Sequence, residues 1–159
     1  MKKIIVTGGL GFIGSNLIDI LIKKKFFVIN LDKITYSSNF YNTKNFKNLK
    51  NYKFIKCDIS DKKILNILNK YKPSCIFNLA AETHVDRSID NPENFIKSNI
   101  VGVYNLLECF KNFSKKNKSK LVHISTDEVY GDVLNGRSSE IYQYKPSSPY
   151  AASKAASDH

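Results

Sequence analysis

A chain of 159 residues, 42% of them hydrophobic, can build one substantial core and leaves no room for two ordinary domains. The formal charge of +11 would suit a nucleic-acid partner, yet the lysines are scattered among Asn and Ile, with Lys23-Lys24-Lys25 and Lys115-Lys116 at expected helix ends. No nucleic-acid module accompanies them, so the basicity reads as a surface property that mildly attracts anions. Cys57, Cys75 and Cys109 are odd in number and widely spaced, the pattern of reduced, mostly buried thiols in a cytoplasmic protein and not of a disulfide framework or a metal site. No apolar run is long enough to span a bilayer, and glycines, Asn16 and Asp19 interrupt the opening segment where a signal peptide would lie.

Lys3-Ile-Ile-Val-Thr7 is predicted as the first strand, and it runs straight into Gly8-Gly9-Leu-Gly11-Phe-Ile-Gly14. Glycines at positions 8, 11 and 14 let the backbone turn tightly, approach a pyrophosphate without a Cβ in the way, and pack the next helix on the strand. That helix is predicted over about Phe12 to Lys24, with Ile13, Leu17, Ile20 and Leu21 on its buried face. A second strand, Phe26 to Leu31, ends at Asp32. An acid about twenty residues after the glycines accepts hydrogen bonds from an adenosine ribose and repels a 2′-phosphate, which favours NAD over NADP.

Residues 39–50 are polar and read as a loop with a turn of helix. Tyr52 to Cys57 is a third strand ending at Asp58, which is placed to meet adenine, and Ser60 or Asp61 caps a helix from Lys62 to Tyr71. After Pro73, Cys75 to Leu79 forms a fourth strand leading into Ala80-Ala81-Glu82-Thr83-His84, where small residues let a cofactor lie against the backbone. His84 reads as a hydrogen-bonding loop residue and not as an acid or base. A long helix is predicted from Asn91 to about Phe113, burying Phe95, Ile96, Asn99, Ile100, Val103, Leu106, Leu107 and Phe110. Asn99 in that stripe must find a polar partner.

Lys120 to Ser125 is the fifth strand, and it delivers Thr126, Asp127 and Glu128 to its own C-terminal end. Together with Tyr150 and Lys154 they make a set of acid, base and redox groups at the sheet edge where ligands bind. Strand and helix alternate throughout, which predicts an α/β fold: a Rossmann-like, doubly wound parallel sheet with helices on both faces, formed by residues 1–159 as one unit.

Thr7-Gly-Gly-Leu-Gly-Phe-Ile-Gly14 with Tyr150-Ala-Ala-Ser-Lys154 resembles the extended short-chain dehydrogenase/reductase superfamily. Asp32-Lys-Ile-Thr-Tyr36, Ala80 to Ser88 and Ser125-Thr-Asp-Glu-Val-Tyr-Gly131 more narrowly resemble the dTDP-glucose 4,6-dehydratases. That resemblance implies dehydration of dTDP-glucose with NAD. Tyr150, its pKa lowered by Lys154, and Thr126 would handle the C4 hydroxyl proton, Glu128 would remove the C5 proton, and Asp127 would protonate the departing C6 hydroxyl. It also implies an NAD site at Phe12, Ile13, Asp32, Lys33, Ile34, Thr35, Asp58, Ile59, Leu79, Ala80, Ala81, Thr83 and Ser98, with Thr83 and Thr126 near the substrate. Alternatives are a related nucleotide-sugar dehydratase, decarboxylase or epimerase, or a remnant that binds NAD without turnover. The chain stops at Ser157-Asp158-His159, inside the helix carrying Tyr150 and Lys154. By resemblance it is an N-terminal portion, truncated before the substrate domain, with a sheet edge prone to association and a homodimer as a further expectation.

Overall fold

The computed structural model describes residues 1–133 and 135–159. Five parallel strands form one sheet in the order β3-β2-β1-β4-β5: β1 Lys3–Thr7, β2 Phe27–Asp32, β3 Tyr52–Lys56, β4 Cys75–Asn78 and β5 Lys120–His123. The chain first winds outward from β1 to β3, then crosses back to place β4 on the other side of β1. That reversal opens a crevice at the carboxyl ends of β1 and β4, which is where ligands bind in such sheets.

Helices cover both faces. The α1 helix, Phe12–Lys23, packs Ile18, Leu21 and Ile22 against Ile4, Val6 and Val28; on the opposite face α2, Lys63–Tyr71, and a later helix cover Ile5, Ile29, Leu31 and Ile76. Lys62 stands at the cap position of α2, and Asp61, one residue before it, still holds the helix start, its carboxylate accepting the Lys63 N–H at 2.8 Å. The buried face of α1 differs from the sequence expectation: Ile13 and Ile20 are exposed. Close packing of Gly14 on the Gly8 backbone turns the helix so that Ile18 and Ile22 point inward instead.

The predicted long helix is also corrected. A short helix, α3 (Val85–Asp90), precedes it, following directly on the loop that ends at His84. The stretch then runs as α4 (Pro92–Phe95), a π-helical segment (Ile96–Val101) and α5 (Gly102–Ser114). A widened turn shifts the register of everything around it, so Ile96 and Leu107 face outward while Phe95, Val103, Leu106 and Phe113 are buried. Polar residues 40–46 form a 3₁₀ helix, in keeping with the expected turn. The last helix, α6 (Pro149–Asp158), starts at Ser148, whose hydroxyl accepts the Ala151 N–H at 3.0 Å, with Pro149 in the first turn. No helix among the described residues is long and apolar enough to cross a membrane.

The two sheet edges are unlike each other. β3 carries exposed Lys53 and Lys56, the usual guard against edge-to-edge pairing, whereas Val122 in β5 and Ile124 just beyond it are more than a third exposed.

Candidate active site

The crevice at the switch point is a cavity of about 390 Å³. The glycine loop forms its floor. Gly8 has φ +68°, and a Cβ there would sit 2.9 Å from the Leu79 and Ala80 backbone; a Cβ on Gly14 would collide with the Gly8 carbonyl. Only glycine permits this approach of loop to helix. Phe12 and Ile13 stand exposed at the N-terminus of α1 on the cavity wall. The helix N-terminus and a loop without side chains make a cradle suited to a pyrophosphate.

At one end Asp32 organises the turn after β2. Its carboxylate accepts the Leu10 N–H at 3.0 Å, the Ile34 N–H at 2.8 Å and the Ser38 hydroxyl at 2.8 Å. Nearby, Lys33 Nζ donates to Ser98 Oγ at 2.5 Å and stands 3.2 Å from Glu82 and 3.9 Å from Asp58. Ser98 reaches the cavity from the π-helical segment, and its neighbour Asn99 ties that segment to the loop after β4.

The other end holds the reactive groups. Tyr150 and Lys154 are one turn apart on α6 and both line the cavity. The Tyr150 N–H donates to Ser88 Oγ at 3.0 Å, and its ring meets that of Phe95 edge-on at 6.2 Å. Lys154 is buried, and its Nζ donates to the Ile124 carbonyl at 2.6 Å. Burial lowers the Lys154 pKa, with Asp158 pushing the other way. Burial raises the Tyr150 pKa, the Thr126 hydroxyl opposes that, and Glu128 and Asp127 reinforce it. The expected lowering of the phenol by Lys154 is therefore corrected: the ammonium is spent on the Ile124 carbonyl, and the charges acting on the phenol are carboxylates.

Of the residues expected at the cofactor, Gly8, Gly11, Phe12, Ile13, Gly14, Asp32, Lys33, Thr35, Asp58, Ile59, Leu79, Ala80, Ala81, Thr83, Ser98, Tyr150 and Lys154 all line this cavity. Ile34 does not; with φ +66° it borders a shallower depression beside Asp58. Thr126, Asp127 and Glu128 also stand outside the lining, on the 3₁₀ turn Asp127–Tyr130, whose start Thr126 caps by accepting the Glu128 N–H at 3.3 Å. Sequence reasoning missed Glu82, a buried carboxylate paired with Lys33, and Ser125 and Ile124, which line the cavity at the exit of β5. The alternation of β5 pointed to its end without saying which side chains turn inward. His84 lines the wall with φ +77°, its ring 6.3 Å from that of Tyr36, over which the Arg87 guanidinium sits at 3.8 Å from the centroid. Burial pushes the Cys57 thiol up to about 11, which makes it inert.

A sequence profile describing GDP-mannose 4,6 dehydratase matches residues 5–159. The chain belongs to this family. It is 48% identical, over its whole length, to a dTDP-glucose 4,6-dehydratase of Haemophilus influenzae, of which the alignment covers 50%. The crystal structure of a dTDP-glucose 4,6-dehydratase from Streptomyces venezuelae with NAD bound superposes with a TM-score of 0.91 at 37% identity, over 98% of this chain and 49% of that one. A UDP-glucose 4-epimerase of Thermus thermophilus in complex with NAD gives 0.86 at 32% identity, over 99% and 49%. The chain thus spans about half the length of the relatives it matches. Similarity to dTDP-glucose 4,6-dehydratases agrees with the narrower resemblance carried by its motifs.

Proposed function

We propose that this chain is the NAD-binding unit of a nucleotide-sugar 4,6-dehydratase acting on dTDP-glucose. The observation that carries the reading is one cavity joining the glycine cradle and Asp32 to Tyr150 and Lys154, with Thr126, Asp127 and Glu128 at the end of the neighbouring strand. A cradle that any Cβ would fill, and an acid at the tip of β2, fit a dinucleotide. Gly8, Gly11 and the first turn of α1 would hold the pyrophosphate, Asp32 the ribose, and Asp58 and Ile59 the adenine. NAD, when bound, supplies the hydride acceptor for oxidation at C4 and the hydride returned at C6.

The chain's own residues move the protons. In its ionised form Tyr150 takes the C4 hydroxyl proton on the phenolate oxygen, with the Thr126 hydroxyl beside it as second partner. Because burial holds the phenol above its ordinary value, proton removal from C4 speeds up as pH rises. A C4 ketone acidifies the C5 proton, which the Glu128 carboxylate removes, and Asp127 protonates the C6 hydroxyl as it leaves. The carboxylate pair supports dehydration over epimerisation, a reaction that needs neither of these two transfers.

The unit is completed by a substrate-binding part of the length its relatives carry. Three free cysteines support a reducing, cytoplasmic setting. Exposed Ile96, Val101, Tyr104 and Leu107 support pairing of two copies. Two measurements test the reading. The chain as it stands should bind NAD, read by calorimetry. Extended to the length of its relatives, it should convert dTDP-glucose to a 4-keto-6-deoxy sugar, read by alkali-induced absorbance. NAD binding without keto product in the extended protein would reduce the reading to a binding module, and loss of both would remove it.

A further inference from the structure

Behind the Tyr150 and Lys154 face of α6 runs a row of side chains that the proton transfers above do not use. The Thr7 hydroxyl accepts the backbone N–H groups of Leu79 and Ala80 at 3.2 and 3.1 Å, so its own proton goes to Asn78 Oδ1 at 2.6 Å. That fixes the Asn78 amide with Nδ2 toward His123 Nδ1 at 2.9 Å. An amide nitrogen only donates, so Nδ1 is the bare nitrogen and the ring proton sits on Nε2. Ser157 Oγ lies 3.3 Å from Nε2 and gives its own proton to the Lys154 carbonyl at 2.8 Å, which leaves a lone pair for the imidazole. Asp158 Oδ1 is 3.7 Å from the same nitrogen, and Asp158 Oδ2 accepts the hydroxyls of Ser125 at 2.5 Å and Tyr144 at 3.2 Å. Every donor in the row is directed, and the row ends on a carboxylate one helical turn beyond Lys154.

We infer that Asp158, oriented by His123, Ser125 and Tyr144, is a positioning residue for Lys154. Its carboxylate keeps the buried ammonium charged and fastens the last turn of α6 to the end of β5, so that Nζ stays on the Ile124 carbonyl beside Tyr150.

Among the described residues, the hydrogen-bond partner of Lys154 Nζ is a neutral carbonyl, and no carboxylate lies within ion-pair distance of it. A lysine so placed and 4% exposed needs a compensating charge nearby to remain protonated. Asp158 supplies that charge, opposing the effect of burial on Lys154 and on His123 alike. The other titratable groups around the site are His123 from β5, Tyr144 from the preceding loop, and Tyr130 and His159, whose rings pack on Tyr144 at 5.3 Å each. None of these side chains is a second carboxylate, and Asp127 and Glu128 act on Tyr150.

The functional meaning of the inference rests on Tyr150 and Lys154 being the reacting pair, while its physical content is tested without turnover. In the chain labelled at lysine side chains, the Lys154 signal, assigned with Lys154→Arg, is followed by NMR against pH. Asp158→Asn keeps the shape and should move the Lys154 midpoint to lower pH. Tyr144→Phe removes one of the hydroxyls that hold the carboxylate while leaving its charge, and should move the midpoint less than Asp158→Asn does. An unchanged midpoint in a folded Asp158→Asn chain, or an equal shift in Tyr144→Phe, overturns the inference. Should Asp158→Asn fail to fold, the unsubstituted chain decides: the Asp158 carboxyl carbon must respond in the pH range where Lys154 titrates, and a flat response overturns it. NAD titration of the same samples judges the functional reading separately, since a chain that ignores NAD can still show the coupling.

Discussion

Asn99 and Glu82 are joined by a reciprocal pair of hydrogen bonds: Asn99 Oδ1 accepts the Glu82 N–H at 2.8 Å and its amide donates to the Glu82 carbonyl at 3.0 Å. A third bond runs from the same amide to Ser153 Oγ at 2.9 Å. One buried side chain of the π-helical segment thus fastens the loop that lines the cavity to the helix that carries Tyr150.

Asn99→Ala strands a buried N–H and a buried C=O, each expensive to leave unpaired, so the chain should lose about 3 kcal/mol of stability in urea unfolding. NAD affinity should fall with it, because the Ala80 to Thr83 loop loses its anchor. A loss within the roughly 0.5 kcal/mol of an ordinary surface change would show that water replaces the amide and that the bridge does not hold the site.

The requirement that Asn99 find a partner was readable from its place in an apolar stripe, but the partner was not. It lies 17 residues upstream in a loop, and reaching it takes a π turn that leaves no mark on hydrophobic periodicity. The same turn explains why Ile96 and Leu107, apolar at the right spacing, face outward. By contrast, all five strands were legible because each is a short apolar run stopped by Gly, Asp or a polar loop, and their ends marked the crevice, while many of its individual lining residues came from the family resemblance. What a linear reading could not supply was the direction of charge around Tyr150. The Lys154 spacing suggested an ammonium facing the phenol, while the fold gives that ammonium to the Ile124 carbonyl.

Gly14→Ala places a methyl group against the Gly8 carbonyl oxygen, with backbone on both sides and no flexible side chain to yield. The α1 N-terminus must move off the loop, and NAD affinity should fall at least about tenfold, roughly 1.4 kcal/mol. Isothermal titration of the folded variant reads this directly. Undiminished affinity would show that the dinucleotide does not use the cradle.

Asp32→Ala removes the acceptor for Leu10, Ile34 and Ser38 as well as the charge proposed to meet the ribose. The local turn should loosen, seen as a lower melting temperature. NAD should nonetheless be weakened more than NADP, because the charge that repels a 2′-phosphate goes with the carboxylate. Equal weakening of the two cofactors would leave Asp32 as a turn-former only.

For Glu128, the decisive measurement is isotope exchange at C5 in the protein extended to the length of its relatives. Glu128→Gln should abolish exchange of the C5 proton with solvent while oxidation at C4 remains detectable as NADH absorbance. Exchange that survives the substitution would assign the base elsewhere, with Asp127, the adjoining carboxylate on the same 3₁₀ turn, as the first candidate.

The pH dependence of stability follows from His123. Burial lowers its pKa below 6.5, the nearby Lys154 charge acts in the same direction, and Asp158 opposes them. Between the folded value and 6.5 the unfolded chain therefore binds a proton that the folded chain does not, so stability rises with pH across that window and is lost as pH falls through it. Geometry agrees, because a proton on Nδ1 would face the N–H group of Asn78. The urea midpoint should drop between about pH 7 and pH 5.5, above the range where ordinary carboxylates titrate. His123→Gln, with no proton to take up, should flatten that slope whatever it does to the midpoint itself. A slope that persists unchanged in the variant would belong to another titrating group and would remove His123 as its source.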